Sequence, residues 1–178
     1  AGPLIGRARE VEEVGTLLAT PDVRLVSLTG AGGTGKTRLA IDVGRALASR
    51  YPGGVRFVAL AAITDVAVLE SAIAQELGAK LSAGTALPSA VASSFAESQR
   101  GATLLVLDNF EQLVDASVLL AHLLAAVPAL ELLVTSRSVL RLSGEHEYPV
   151  LPLAVPDLTT RLSASALEQV PAVALFAE

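Results

Sequence analysis

Leu25-Val26-Ser27-Leu28-Thr29-Gly30-Ala31-Gly32-Gly33-Thr34-Gly35-Lys36-Thr37 runs from an aliphatic stretch into a glycine-rich loop and on into helical spacing. Residues 30–37 fit G-x-x-x-x-G-K-[ST], the pattern of a phosphate-binding P-loop. Its glycines allow backbone angles that side chains forbid, so successive N–H groups can turn toward one anion. The helix that follows adds its free N–H groups and the positive end of its dipole. Lys36 supplies a compact point charge for β- and γ-phosphates, and the Thr37 hydroxyl is an oxygen ligand suited to Mg²⁺. Only Lys36 and Lys80 are lysines among 13 basic residues, so a chain that otherwise uses arginine still places lysine here. The planar arginine fork is a poor substitute for an ammonium in such a loop.

Gly30, Gly32 and Gly35 also satisfy G-x-G-x-x-G. A dinucleotide-binding turn would need an acidic residue at the tip of the second strand to hold a ribose. That strand is expected over 55–60, and Ala61-Ala62-Ile63 follows it with no carboxylate. Lys36-Thr37 directly after the last glycine has no role in a dinucleotide turn, so the phosphate-binding loop is preferred.

Composition bounds the rest. The 178 residues make one domain, or one domain plus a piece of another. Hydrophobic residues are 52% and aromatics 3%, so the core is expected to be Ala, Leu and Val. A net charge of -5 argues against direct nucleic-acid binding by this segment. Without cysteine there is no disulfide or thiolate metal site, which fits a cytoplasmic location. No apolar run is long enough to span a bilayer, and no membrane partner is expected. Methionine is absent, even at position 1, as in a segment of something longer.

In order, helical spacing covers 10–18, with Val11, Val14, Leu17 and Leu18 on one side, and an aliphatic strand covers 24–29. The helix after the loop turns Leu39, Ala40, Val43 and Leu47 inward, with Arg38 and Asp42 as a weak surface pair. Asp65 reads as the N-cap of a helix to residue 77, and a second helix is expected over 89–99. A buried strand covers 103–108, a helix 112–126, a second buried strand 130–134, and a last edge strand 147–153 with Pro149 and Pro152. Residues 170–178 begin another helix. Alternating strands and helices predict an α/β fold, a parallel sheet covered on both faces, with ligands at the carboxyl ends of the strands. The loop at 30–37, Asp108, and Thr135-Ser136-Arg137 all fall at such ends.

Asp108, after four aliphatics, is the candidate Walker B acid that would hold Mg²⁺ beside Thr37. Asn109 stands where many P-loop ATPases carry a second acid. An amide can orient water but cannot take its proton. Glu111 is near enough to substitute for that acid or is a solvated residue of a first helical turn, and the solvated reading is preferred. Arg137 is placed to touch a γ-phosphate, or else to pair at the surface with Glu131 or Glu145. His122 and His146 have no converging acids and form no metal site.

Leu4-Ile5-Gly6-Arg7, the loop with Arg38-Leu39-Ala40 after it, Leu104-Leu105-Val106-Leu107-Asp108-Asn109-Phe110-Glu111, and Leu132-Leu133-Val134-Thr135-Ser136-Arg137 occur in that order. Together they resemble the ATPase module of STAND-class signal-transduction NTPases. The likeness is to the predicted-ATPase (NB-ARC-like) module of bacterial LuxR-like and SARP/AfsR-like transcriptional regulators. The resemblance implies a three-layer P-loop NTPase with strand order 5-1-4-3-2. It implies ATP or ADP with Mg²⁺ as ligands, bound by Ile5, Gly6 and Arg7 near adenine and ribose and by Gly30, Ala31, Gly32, Gly33, Thr34, Gly35, Lys36, Thr37 and Arg38. Thr37 and Asp108 would be the metal ligands; Lys36, Asp108, Asn109 and Arg137 would serve catalysis, with Arg137 as sensor. Residues 1–155 would form the nucleotide-binding domain, and 156–178 a linker and the start of a helical lid, with Pro171-Ala172-Val173-Ala174-Leu175-Phe176 as its opening. Partners would be a lid, winged helix and effector domain of one longer chain, with ATP-dependent self-association. Related sequences tend to carry Glu after Gly-Arg, where this chain has Ala8. A slow ATPase switch is the expected function; the alternatives are a small-molecule kinase and a nucleotide-binding module without hydrolysis.

Overall fold

The computed structural model describes residues 6–113 and 116–153. Helix α1 (Ala8–Ala19) leads into β1 (Leu25–Thr29) and α2 (Lys36–Ala46). Then follow β2 (Gly54–Ala59), α3 (Val66–Leu77), α4 (Leu87–Glu97), β3 (Thr103–Asp108), α5 (Ser117–Ala126), β4 (Leu130–Ser136) and β5 (Glu145–Pro149). The five strands form one sheet in the order β2-β3-β4-β1-β5, and every neighbouring pair is parallel. This is the three-layer α/β P-loop NTPase fold, with the strand order that the resemblance implies.

Alternation along β3 shows how the layers arise. Leu105 and Leu107 face a core shared with Leu69 and Ile73 of α3, Val91 and Phe95 of α4, and Leu120 and Leu123 of α5. Leu104 and Val106 face the opposite core, with Val14 and Leu18 of α1 and Leu39, Ala40 and Val43 of α2. Strands β1 and β3 are buried along their whole length, and β4 at all but Glu131. A strand covered on both sides needs a continuous apolar run, and such runs are what made these strands legible.

Several boundaries differ from expectation, and four are instructive. Strand β2 runs one residue earlier than 55–60. Helix α4 begins at Leu87, because Pro88 sits in its first turn, where no N–H is needed. The helix expected over 112–126 is divided: Asn109 adopts a left-handed backbone (φ 72°), a 3-10 turn covers Phe110–Gln112, and α5 starts at Ser117. The aliphatic residues on either side, Leu113 and Val118-Leu119-Leu120, made the two pieces read as one helix. The last strand lies at Glu145–Pro149 rather than 147–153, because its ladder is set by β1: Glu145 stands opposite Leu25 and Pro149 opposite Thr29. Pro149 is tolerated at this sheet edge. Ile5, the linker from 156 onward and the helix expected at 170–178 lie outside the described residues. Among the described residues no helix is long and apolar enough to cross a membrane.

Asp65 caps α3 as its sequence suggested: the side chain accepts from Ala67 N at 2.8 Å and Val68 N at 3.3 Å. Asp65→Ala is expected to destabilise the protein by about 1 kcal/mol, and Asp65→Asn by less, read as shifts in the urea unfolding midpoint.

Candidate functional site

The carboxyl ends of β1, β3 and β4 meet at one edge of the sheet. The P-loop leaves β1, and α2 starts directly from it at Lys36. Gly35 precedes the helix with φ 87°, a left-handed angle that favours glycine. Gly30 (φ 146°) packs against the chain beyond β5: a Cβ there would stand 2.6 Å from Val150 O. The glycines of the motif therefore serve close packing here as well as loop shape.

Lys36 is nearly buried, and its Nζ donates to Gly30 O at 2.7 Å and Ala31 O at 2.9 Å. Thr34 Oγ1 also donates to Ala31 O. The ammonium is thus satisfied by the loop's own carbonyls.

Across the site Thr37 Oγ1 donates to Asp108 Oδ1 at 2.8 Å. These residues are far apart in sequence, and the sheet order brings them together because β3 and β1 flank β4. Thr135 at the end of β4 donates to the same Asp108 oxygen at 2.6 Å, and its Oγ1 accepts from Asn109 N at 2.9 Å. The left-handed turn at Asn109 is thus accompanied by a bond from its N–H to the Thr135 hydroxyl. Sequence reasoning gave Thr135 no role of its own; the signal was a hydroxyl ending an otherwise aliphatic strand.

Arg137 is largely exposed, and its Nε donates to Glu111 Oε1 at 3.2 Å. Neither surface partner considered from sequence is used. Glu131 accepts from Tyr51 and Arg50, and Glu145 accepts from the backbone of Leu140 and Leu142. Arg137 also lies beside the P-loop, since a Cβ on Gly32 would stand 3.9 Å from its Nη2. The solvated reading of Glu111 is corrected: its side chain is 16% exposed, and Oε2 is buried without a hydrogen-bond partner. The 3-10 turn after Asn109 folds this carboxylate back under the strand ends.

Arg38 pairs with Asp42 at 2.8 Å, as the i,i+4 spacing predicts. Gly6 is described as a turn residue with φ 69°. Arg7 is buried and binds Thr34 O, Leu151 O and Glu10. Among the described residues no group of three or more His, Asp or Glu side chains is placed to hold a metal unaided. The Thr37 and Asp108 oxygens do fit a hard cation that draws its other ligands from water and phosphate.

The family model of the NACHT domain matches residues 24–168. The chain belongs to the NACHT family. It is 37% identical over 148 residues to a Mycobacterium tuberculosis (strain ATCC 25618 / H37Rv) protein provisionally named an HTH-type transcriptional regulator, covering 83% of this chain and 16% of that protein. An uncharacterized protein of the same strain is 35% identical over 154 residues, 86% of this chain and 38% of its own length. This NACHT segment thus spans less than half of each of these relatives. Two solved structures share the fold. One is a STAND protein with a tetratricopeptide repeat sensor from Pyrococcus horikoshii, with TM-score 0.60, 16% identity, and 86% of this chain and 24% of that one covered. The other is Cdc6p from Pyrobaculum aerophilum, with TM-score 0.59, 15% identity, and 78% and 40% covered. The STAND-class resemblance expected from the motifs therefore holds, and the matching family is NACHT.

Thr135→Val removes a donor from Asp108 and leaves the Asn109 N–H without its acceptor. It is expected to cost about 1–3 kcal/mol, with Thr135→Ser recovering most of it, measured by urea denaturation.

Proposed function

We propose that this NACHT domain binds ATP and ADP with Mg²⁺ at the shared carboxyl edge of β1, β3 and β4, and acts as a slowly hydrolysing switch in a larger transcriptional regulator. The observation that carries this is the Thr37–Asp108 contact of 2.8 Å at the start of the P-loop helix. It sets two hard oxygen donors beside a loop built for phosphate.

Under this proposal the backbone of 30–35 and the α2 amino terminus cradle the phosphates, with Arg38 on the adjoining turn. Lys36 contacts the β- and γ-phosphates. Thr37 and Asp108 hold Mg²⁺, which neutralises charge on the phosphates. Ile5, Gly6 and Arg7 are proposed as the residues that serve adenine and ribose. Arg137 exchanges Glu111 for the γ-phosphate and so reports its presence. Slow turnover is supported by the site's chemistry: Asn109, next to Asp108, offers an amide and no base. A nucleotide-binding module without hydrolysis is the second reading, favoured by that same amide at Asn109.

A ligand shifts a switch only through contacts that differ between its states. ADP and ATP differ by the γ-phosphate, so Arg137 is the residue proposed to tell them apart. The names and lengths of the relatives support a setting in a longer regulator. There 1–155 would be the nucleotide-binding domain and 156–178 would lead to a lid, a winged helix and an effector domain. ATP-dependent self-association and a cytoplasmic location belong to the same proposal.

Lys36→Ala is expected to weaken both nucleotides about 10- to 100-fold through loss of a charge-assisted contact. Titration of the folded variant with unchanged affinity would remove the P-loop role. Arg137→Ala should lower ATP affinity and leave ADP nearly untouched; equal losses would make Arg137 structural. Steady-state turnover should stay below the ~1–100 s⁻¹ typical of kinases, and a phosphate-release assay within that range would refute the slow switch.

A further inference from the structure

Arg7 immediately precedes α1, and its side chain is only 4% exposed. A buried guanidinium must find acceptors for its donors. Nη2 donates to Thr34 O in the P-loop and to Leu151 O just beyond β5, each at 2.7 Å, while Nη1 donates to Glu10 Oε1 at 2.9 Å. One nitrogen thus joins two segments that are distant in sequence. A second contact, independent of Arg7, joins the same two segments. Val150 N donates to Thr29 O at 2.7 Å, and Gly30 lies too close to Val150 O to accept a side chain. The loop and the β5 exit are therefore bound to each other at both the start and the end of the glycine run.

We propose that Arg7 is a positioning residue that ties the P-loop to the chain leaving β5, so that loop geometry and the placement of residues 150–151 are set together. The consequence for phosphate affinity rests on the nucleotide-binding function proposed above; the tether itself does not. Two hydrogens on one planar nitrogen, one for each carbonyl, make the link rigid. A shift of the Thr34 carbonyl has to be followed by the guanidinium or break a bond, and the Leu151 carbonyl shares that constraint.

The test uses the full 178-residue chain. Hydrogen exchange of nucleotide-free wild type and Arg7→Ala is compared in peptides covering 30–37, 146–151 and, as reference, 103–108. Faster exchange in the first two windows together, with the reference unchanged, is expected. ATP and ADP affinities should fall by a similar factor, up to about 10-fold, because a loop that has lost its tether must be ordered when phosphate binds. Arg7→Lys, which keeps the charge but not the fork, should fall between wild type and Arg7→Ala in both measurements. Loosening of all three windows with unaltered affinity in the folded fraction would make Arg7 merely structural and overturn the proposal. Loosening of one segment without the other would also overturn it. Should Arg7→Ala fail to fold, Arg7→Lys decides: coupled loosening supports the tether, and wild-type values in both windows refute it. A wild-type chain that binds neither nucleotide would defeat the proposed function, while exchange in the nucleotide-free protein would still decide the tether.

Discussion

One carboxylate oxygen ties the working edge of this fold together. Asp108 Oδ1 accepts from Thr37 at the start of α2 and from Thr135 at the end of β4, while Asp108 itself ends β3. Three segments that meet only because the sheet is wound in this order are pinned at one atom. An ionised acceptor makes shorter and stronger hydrogen bonds than a neutral one, and Asp108 is almost wholly shielded from water. Loss of either hydroxyl would leave buried charge less well compensated, so the strand ends are held in register by a polar requirement as well as by the aliphatic layers beneath.

Those layers explain why the polar edge can be so sharply placed. Strands β1, β3 and β4 are enclosed by helices on both faces, so a slip of one residue along any of them would exchange its two apolar sides. Side-chain volume then resists the slip even though both sides are hydrophobic. At the margins this constraint relaxes. Strand β2 has only Val58 fully buried, and Phe57 is 37% exposed. Strand β5 buries none of its five residues fully and takes its register from its backbone ladder to β1.

The same gradient decided what could be read in advance. The strand at 103–108 and the N-cap at Asp65 were legible because each carries its own local cause: an unbroken aliphatic run, and a side chain that bonds its own helix. The placement of β5 was not, because its register comes from β1 and not from its polar residues. The left-handed turn at Asn109 was not legible either, since the acceptor of its N–H is Thr135, a residue on another strand. In the site, Lys36, Thr37 and Asp108 could be named from spacing, since the loop and the strand tip dictate where they stand. Glu111 and Arg7 could not. Their burial follows from a 3-10 turn and from carbonyls far along the chain, and neither leaves a periodic trace.

Lys36 shows how a loop of this kind can be both stable and responsive. Its ammonium rests on two neutral carbonyls, Gly30 O and Ala31 O, so a buried charge is compensated without any outside group. A phosphate oxygen carries charge, so it offers the ammonium an ion–ion attraction that a neutral carbonyl does not. Under the proposed function, binding is an exchange of partners by Lys36, and the net gain is the difference between the two sets. The released carbonyls must then turn to other donors. Gly30 has little freedom to turn, because Val150 O is packed against it and Val150 N is bonded to Thr29 O. Adjustment therefore falls on the middle of the loop, where Gly33 has open space around it and a left-handed backbone, and on Thr34, whose carbonyl is held by Arg7. The segment with freedom to move and the segment that is tethered adjoin at Thr34, so that residue is where a change at the phosphate site must either be absorbed or be passed on.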